Sequence, residues 1–176
     1  MTFYQTLSVI GKKYVGMSRM FKWGFNLSPM YSRTTAKISY ASKDLHHIKI
    51  KLPLSYKNKN YVGTIFGGSM SSATDPIFMV QLTHLLGNKY VVWDKAATIR
   101  FKRPGNVTLY ADFDFSDEEI TEIKNRVSTE NEIEIVKQTF LTNEDKSTIF
   151  CEVDKTIYIA DKAFYKKKLE LKRKNQ

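Results

Sequence analysis

The chain has 176 residues, 42% of them hydrophobic and 13% aromatic, and a formal net charge of +10. That length and apolar content suit a single domain with a sizeable core and exclude a disordered chain. No apolar run is long enough to span a bilayer, and Met1-Thr2-Phe3-Tyr4-Gln5 has no basic segment leading into an apolar one, so neither a membrane span nor a secretory signal is expected. The single cysteine, Cys151, excludes an internal disulfide and a cysteine-cluster metal site, and cytoplasmic residence follows as the default.

In chain order, Phe3, Leu7, Ile10, Tyr14, Met17 and Phe21 alternate at spacings of four and three, one apolar helix seam. It is expected to pack on the domain rather than on lipid, and with the Asn26-Leu27-Ser28-Pro29 turn it makes residues 1–33 an N-terminal extension. Two alternating runs follow, Ala36 to Tyr40 and Ile48 to Leu54, joined by a turn at Ser42-Lys43-Asp44. His46 and His47 are neighbours on a strand, point to opposite faces and share no metal. Residues Tyr90 to Arg103 and Val107 to Phe115 read as strands, and Pro104-Gly105-Asn106 between them reads as a hairpin turn. Ser116 and Glu119 form a capping box for a short helix, and a last hairpin, Ile133 to Leu141 and Thr148 to Ile159, turns at Asn143 to Lys146. Residues 34–162 are thus one antiparallel sheet around one apolar helix, an α+β domain. Residues 163–176 read as a solvated basic tail, and because the basic residues gather around no recognisable module no nucleic-acid partner is expected.

The stretch from Asn60 to Pro76 joins a basic loop to that helix. Gly67-Gly68 allows close approach of another segment, small residues follow through Thr74, then one acid, Asp75, then the apolar run Ile77 to Leu86. Two readings of Asp75 stand side by side. It is an N-cap with Pro76 as the first helical residue, or the helix starts at Gly67 and Asp75 lies two turns in, with Pro76 kinking it. A carboxylate entering an apolar helix is a local cost, so neutralising it is expected to leave stability unchanged or higher.

Gly-Thr-Ile-Phe-Gly-Gly at Gly63 to Gly68, with Trp-Asp-Lys-Ala-Ala-Thr-Ile-Arg-Phe at Trp93 to Phe101, resembles the hotdog-fold thioesterases, in particular the PaaI-like group, and more specifically an uncharacterised, domain-of-unknown-function branch of that superfamily. The resemblance implies a hotdog fold, with the sheet wrapped around a long central helix, and homodimers or dimers of dimers with ligand sites at the subunit junction. It places Asp75 on the position of the catalytic acid and Gly67-Gly68 at the oxyanion site, for an acyl-CoA or other acyl thioester substrate. No cofactor is implied beyond the CoA moiety of that substrate, and no metal. Asp75 would be general base or nucleophile and the Gly68 N–H the oxyanion donor. Thr64, Ser71 and Ser72 are candidates for orienting water. Phe66, Met70, Phe78, Met79 and Trp93 are candidates for an acyl channel, and Arg100, Lys102 and Arg103 for the CoA phosphates. The better-studied PaaI-like enzymes carry His before the glycine pair where this chain has Phe66. A non-catalytic hotdog protein that binds acyl-CoA or another acyl ligand is therefore the alternative.

Overall fold

The structure, a computed structural model, describes residues 16–174. Phe3, Leu7, Ile10 and Tyr14 of the N-terminal seam lie outside the described residues. Its last part forms helix α1 (Met17–Leu27), whose Phe21 is buried and stacks on Phe25 at 4.7 Å. A short helix α2 (Pro29–Ser32) leads into strand β1 (Lys37–Ala41), which turns at Ser42 to Asp44 into β2 (His47–Leu52). The glycine pair opens α3 (Gly67–Thr74), followed by α4 (Ile77–Leu86) and the long strand β3 (Tyr90–Phe101). Then come β4 (Leu109–Asp114), α5 (Asp117–Glu130), β5 (Glu132–Thr142), β6 (Ile149–Asp161) and α6 (Lys162–Lys174).

The strands form one antiparallel sheet in the order β1-β2-β4-β5-β6-β3. The α3–α4 connection carries the chain from β2 to the opposite edge, laying the helices against the sheet. Their inner face is Met70, Ala73, Ile77, Phe78 and Leu82, each 2% exposed or less. Phe78 packs edge-on against Phe113 at 4.8 Å and Phe115 at 5.7 Å. Burial of each such side chain contributes about 1.5–3 kcal/mol. Gln81 is buried in the same helix, and its amide donates to the carbonyls of Leu45 and Phe113 at 2.7 and 3.2 Å.

Three sequence readings need correction. Pro104-Gly105-Asn106 is not a hairpin turn: β3 pairs with β6, and β4 with β2 and β5. The segment is pinned under the helix start instead. Gly105 accepts from the Ile65 N–H at 2.8 Å, and a Cβ on Gly105 would stand 2.6 Å from the Met70 methyl. The β5–β6 hairpin fills the place beside β3. Second, Lys162–Lys174 is a helix and not a fraying tail. Asp161 caps it by accepting from the N–H groups of Ala163 and Phe164, both at 2.9 Å, and Lys172, Arg173 and Lys174 end it, where cations favour the helix dipole. Third, Asp75 is no N-cap. The backbone of Asp75 is helical, and Pro76 holds the N-cap position of α4.

The two sheet edges differ. At β1, Asn26 of α1 accepts from the Ile38 N–H at 2.8 Å and donates to the Ile38 carbonyl at 3.0 Å, while Lys22 and Ser18 donate to the carbonyls of Ser39 and Ala41. At β3 no strand pairs with the free side among the described residues. Trp93 and Phe101 on that strand are 55% and 57% exposed. No helix among the described residues is long and apolar enough to cross a membrane.

Candidate active site

The site is organised by the break between α3 and α4. The helical ladder runs to the Asp75 N–H, which donates to Ser71 at 3.0 Å, and resumes with Val80 donating to Pro76 at 3.1 Å. Pro76 has no N–H to offer Ser72, so the helix cannot continue unbroken. The neighbouring Ala73 carbonyl accepts from the buried Tyr31 hydroxyl at 3.0 Å. Burial pushes the Tyr31 phenol above its usual range, so it stays a donor. Tyr31→Phe is expected to lose about 1–2 kcal/mol, the cost of leaving a buried carbonyl unpaired. Urea unfolding of the variant against wild type checks this.

Gly68, Ser71, Ser72 and Asp75 are spaced three and four apart, so they share the face of α3 opposite the buried Met70, Ala73 and Thr74. The Asp75 side chain is 63% exposed. Its Oδ1 lies 2.7 Å from the ammonium of Lys155, a residue 2% exposed in the middle of β6, and that ammonium also lies 3.1 Å from Asp94 Oδ2. Burial, only partly offset by Lys155, raises the Asp94 carboxyl above its usual range. Asp94 Oδ1 is buried with no hydrogen-bond partner among the described residues. Neither Lys155 nor Asp94 was expected from the sequence. Lys155 nevertheless carries a signal: it falls on the same parity as Cys151, Val153, Ile157 and Ile159, the apolar face of β6.

At the other end, α3 begins without a side-chain cap, and its first ladder bonds are Ser69 and Met70 to the Phe66 carbonyl. The N–H groups of Gly67 and Gly68 have no partner among the described residues. They are the orphan donors of a helix start, where the dipole favours negative charge. Both glycines sit under aromatic rings. A Cβ on Gly67 would stand 2.9 Å from Phe101, and one on Gly68 2.3 Å from Phe66. A cleft of about 410 Å³ opens beside this start, lined by Thr64, Gly67, Met70, Phe101, Lys102 and Arg103 among others.

The structure therefore gathers Thr64, Gly67 and Arg103 at the cleft, with Phe66 over Gly68, and sets Ser71, Ser72 and Asp75 further along α3. Thr64 Oγ1 accepts from Asn60 at 2.9 Å, and Arg103 donates to the Ile149 carbonyl at 2.8 Å. Two expected residues stand apart. Trp93 pairs with Tyr158 and Arg100 with Glu152, on the outer face of the sheet, and Arg100 lies 2.6 Å from Asp154. Phe78 is core, 1% exposed. His46 and His47 diverge, to the Phe115 carbonyl at 2.6 Å and to Asp112 at 2.8 Å, and the described residues hold no metal-ligating cluster.

Solved structures share this architecture at low identity. PA5026 from Pseudomonas aeruginosa, described as a protein of unknown function and probable thioesterase, is 14% identical, with a TM-score of 0.72 over 81% of this chain and 95% of its own. The thioesterase HI1161 from Haemophilus influenzae is 14% identical, with a TM-score of 0.60 over 81% of this chain and 90% of its own. A protein of unknown function from Chlorobaculum tepidum TLS is 12% identical, with a TM-score of 0.64 over 90% and 94%. Identities this low establish the fold alone, and the fold is the hotdog. Functionally curated proteins give no sequence match. The family model that matches, over residues 17–159, is DUF4442, a domain of unknown function, and with most of its length inside that match the chain belongs to the DUF4442 family.

Proposed function

We propose that the protein is an acyl thioester hydrolase acting on an acyl-CoA, with its site formed between two copies of the chain. The observation that carries this reading is the placement of an exposed carboxylate and an uncapped helix start on one face of one helix. Asp75 would act as general base on water or as nucleophile, and the Gly68 N–H would receive the oxyanion. Within one chain the two groups are seven residues apart, about 10 Å of helical rise. One carbonyl cannot meet both at hydrogen-bond range. A substrate on the Gly68 N–H of one copy would meet Asp75 of the partner subunit. The small residues of the shared face and the unpaired β3 edge support such a pairing. Arg103 and Lys102 at the cleft suit the phosphates of CoA, and the reading needs no metal and no separate cofactor.

Several of the fold relatives are described as thioesterases, in agreement with this reading. The hydrolase reading is preferred to pure acyl binding because Asp75, although it meets Lys155 with one oxygen, is mostly exposed on this face, and acyl binding alone calls for no acid there. A panel of acyl-CoA chain lengths, run for hydrolysis beside binding, tests it. Hydrolysis of at least one chain length is expected, from a species that sediments as a dimer or larger. Binding without turnover favours the non-catalytic alternative, and a stable monomer at micromolar concentration removes the two-copy site.

A further inference from the structure

Lys155 and Asp94 are hard to explain by stability. Burying an ammonium costs several kcal/mol unless it is paired, and well-packed apolar residues in place of a buried ion pair are often neutral or stabilising, by about 1–4 kcal/mol. Yet Lys155 stands in the apolar row of β6, between Val153 and Ile157, where a methionine would fit the pattern. Asp94 reaches the same place by a second irregularity. The β3–β6 register slips between Asp94 and Ala96, so Asp94 pairs with Ile157 while Ala97 pairs with Lys155. Both therefore face inward although they are an odd number of residues apart, and without the extra residue a strand's alternation would turn one of them out. The Pro76 break, the β3 bulge and the buried lysine all converge on one carboxylate.

We propose that Lys155, held by Asp94, is a positioning residue for Asp75. The inference rests on the hydrolase reading above and deepens it. Asp75 is mostly exposed at a helix break, so its carboxylate would otherwise sample several rotamers. The Lys155 ammonium, 2.7 Å from Oδ1, fixes one of them from the protein side and leaves Oδ2 without a hydrogen-bond partner among the described residues. Asp94, 3.1 Å away, keeps the ammonium from following Asp75 outward and balances its charge. Lys155 touches no reacting atom in this arrangement and acts through Asp75. Misplacement of a reacting group by about 1 Å can cost a hundredfold in rate.

The test uses the full-length protein and the acyl-CoA that wild type hydrolyses fastest. Lys155→Met alone strands Asp94, so the informative variant is Lys155→Met/Asp94→Leu, which removes both charges together. Its melting temperature is expected to match or exceed that of wild type. Its kcat is expected to fall by about tenfold to a hundredfold, with KM changed by less than about threefold, the pattern of a lost positioning contact. In an Asp75→Asn background the same two substitutions should leave the residual rate unchanged, because Lys155 acts only through Asp75. A stable double variant with wild-type kcat overturns the proposal, as does an equal loss in the Asp75→Asn background. Absence of turnover in wild type itself is a different failure: it removes the hydrolase reading and this inference with it.

Discussion

Asp75→Asn is expected to lower acyl-CoA turnover by about a hundredfold or more, within the range for loss of a general base or nucleophile. Asn keeps the shape and removes the charge. Binding of a non-hydrolysable acyl-CoA analogue should persist, since the cleft beside Gly67 is untouched. The stability expectation is the reverse of the one drawn from the sequence. There, Asp75 was a carboxylate intruding on an apolar helix. In the folded chain it is a partner of a buried ammonium, 2.7 Å away. Asp94 still neutralises Lys155 in the variant, and Asp75 is largely solvated, so the loss should be about 1–2 kcal/mol rather than that of an abandoned buried charge. Over a domain of this size that lowers the melting temperature by about 2–8 °C. Turnover by Asp75→Asn equal to that of wild type would remove Asp75 from the chemistry.

The largest stability effect is expected at Phe78. Phe78→Ala should cost about 3–5 kcal/mol. The ring is 1% exposed and touches Phe113 and Phe115 from two sides, so the strands behind it cannot collapse into the space without giving up their register. Denaturant unfolding should show the midpoint displaced with the slope unchanged. The variant also separates two roles that the sequence left open for this residue. A core residue lowers stability and leaves the preferred acyl chain length alone, whereas a channel residue shifts the chain-length preference.

Much of the architecture was readable because local rules and burial agree there. The Ser116–Glu119 capping box, the β1–β2 and β5–β6 hairpins and the glycine-led helix all appear as expected. The failures share a physical cause. Pro104-Gly105-Asn106 has the composition of a hairpin turn, but turn residues specify a change of direction and not which strand is met afterwards. Here the answer depends on Met70 and Ile65, far away in sequence. Trp93 looks like a pocket residue by type, and the pleat puts it outside. Within the candidate site, Asp75 and the glycine pair lie on one local segment, which a sequence reading spans in one stretch. Lys155 was legible by parity, because an isolated lysine in an apolar row must find a counterion. Asp94 was not, since it is in phase with Val92 but out of phase with Ala97 and Ile99, and nothing in the residue pattern of β3 marks where the phase changes.

The inequality of the two sheet edges limits how copies of the chain could join by strand pairing. A polymer that grows by strand addition needs two reactive ends on every unit. In this chain Asn26 occupies the Ile38 N–H and carbonyl, so the β1 end is terminated from within. Among the described residues only the β3 edge is left open to a further strand, and two such edges joined to each other would leave none. Pairing through that edge would close at two molecules and would not run on into a fibre.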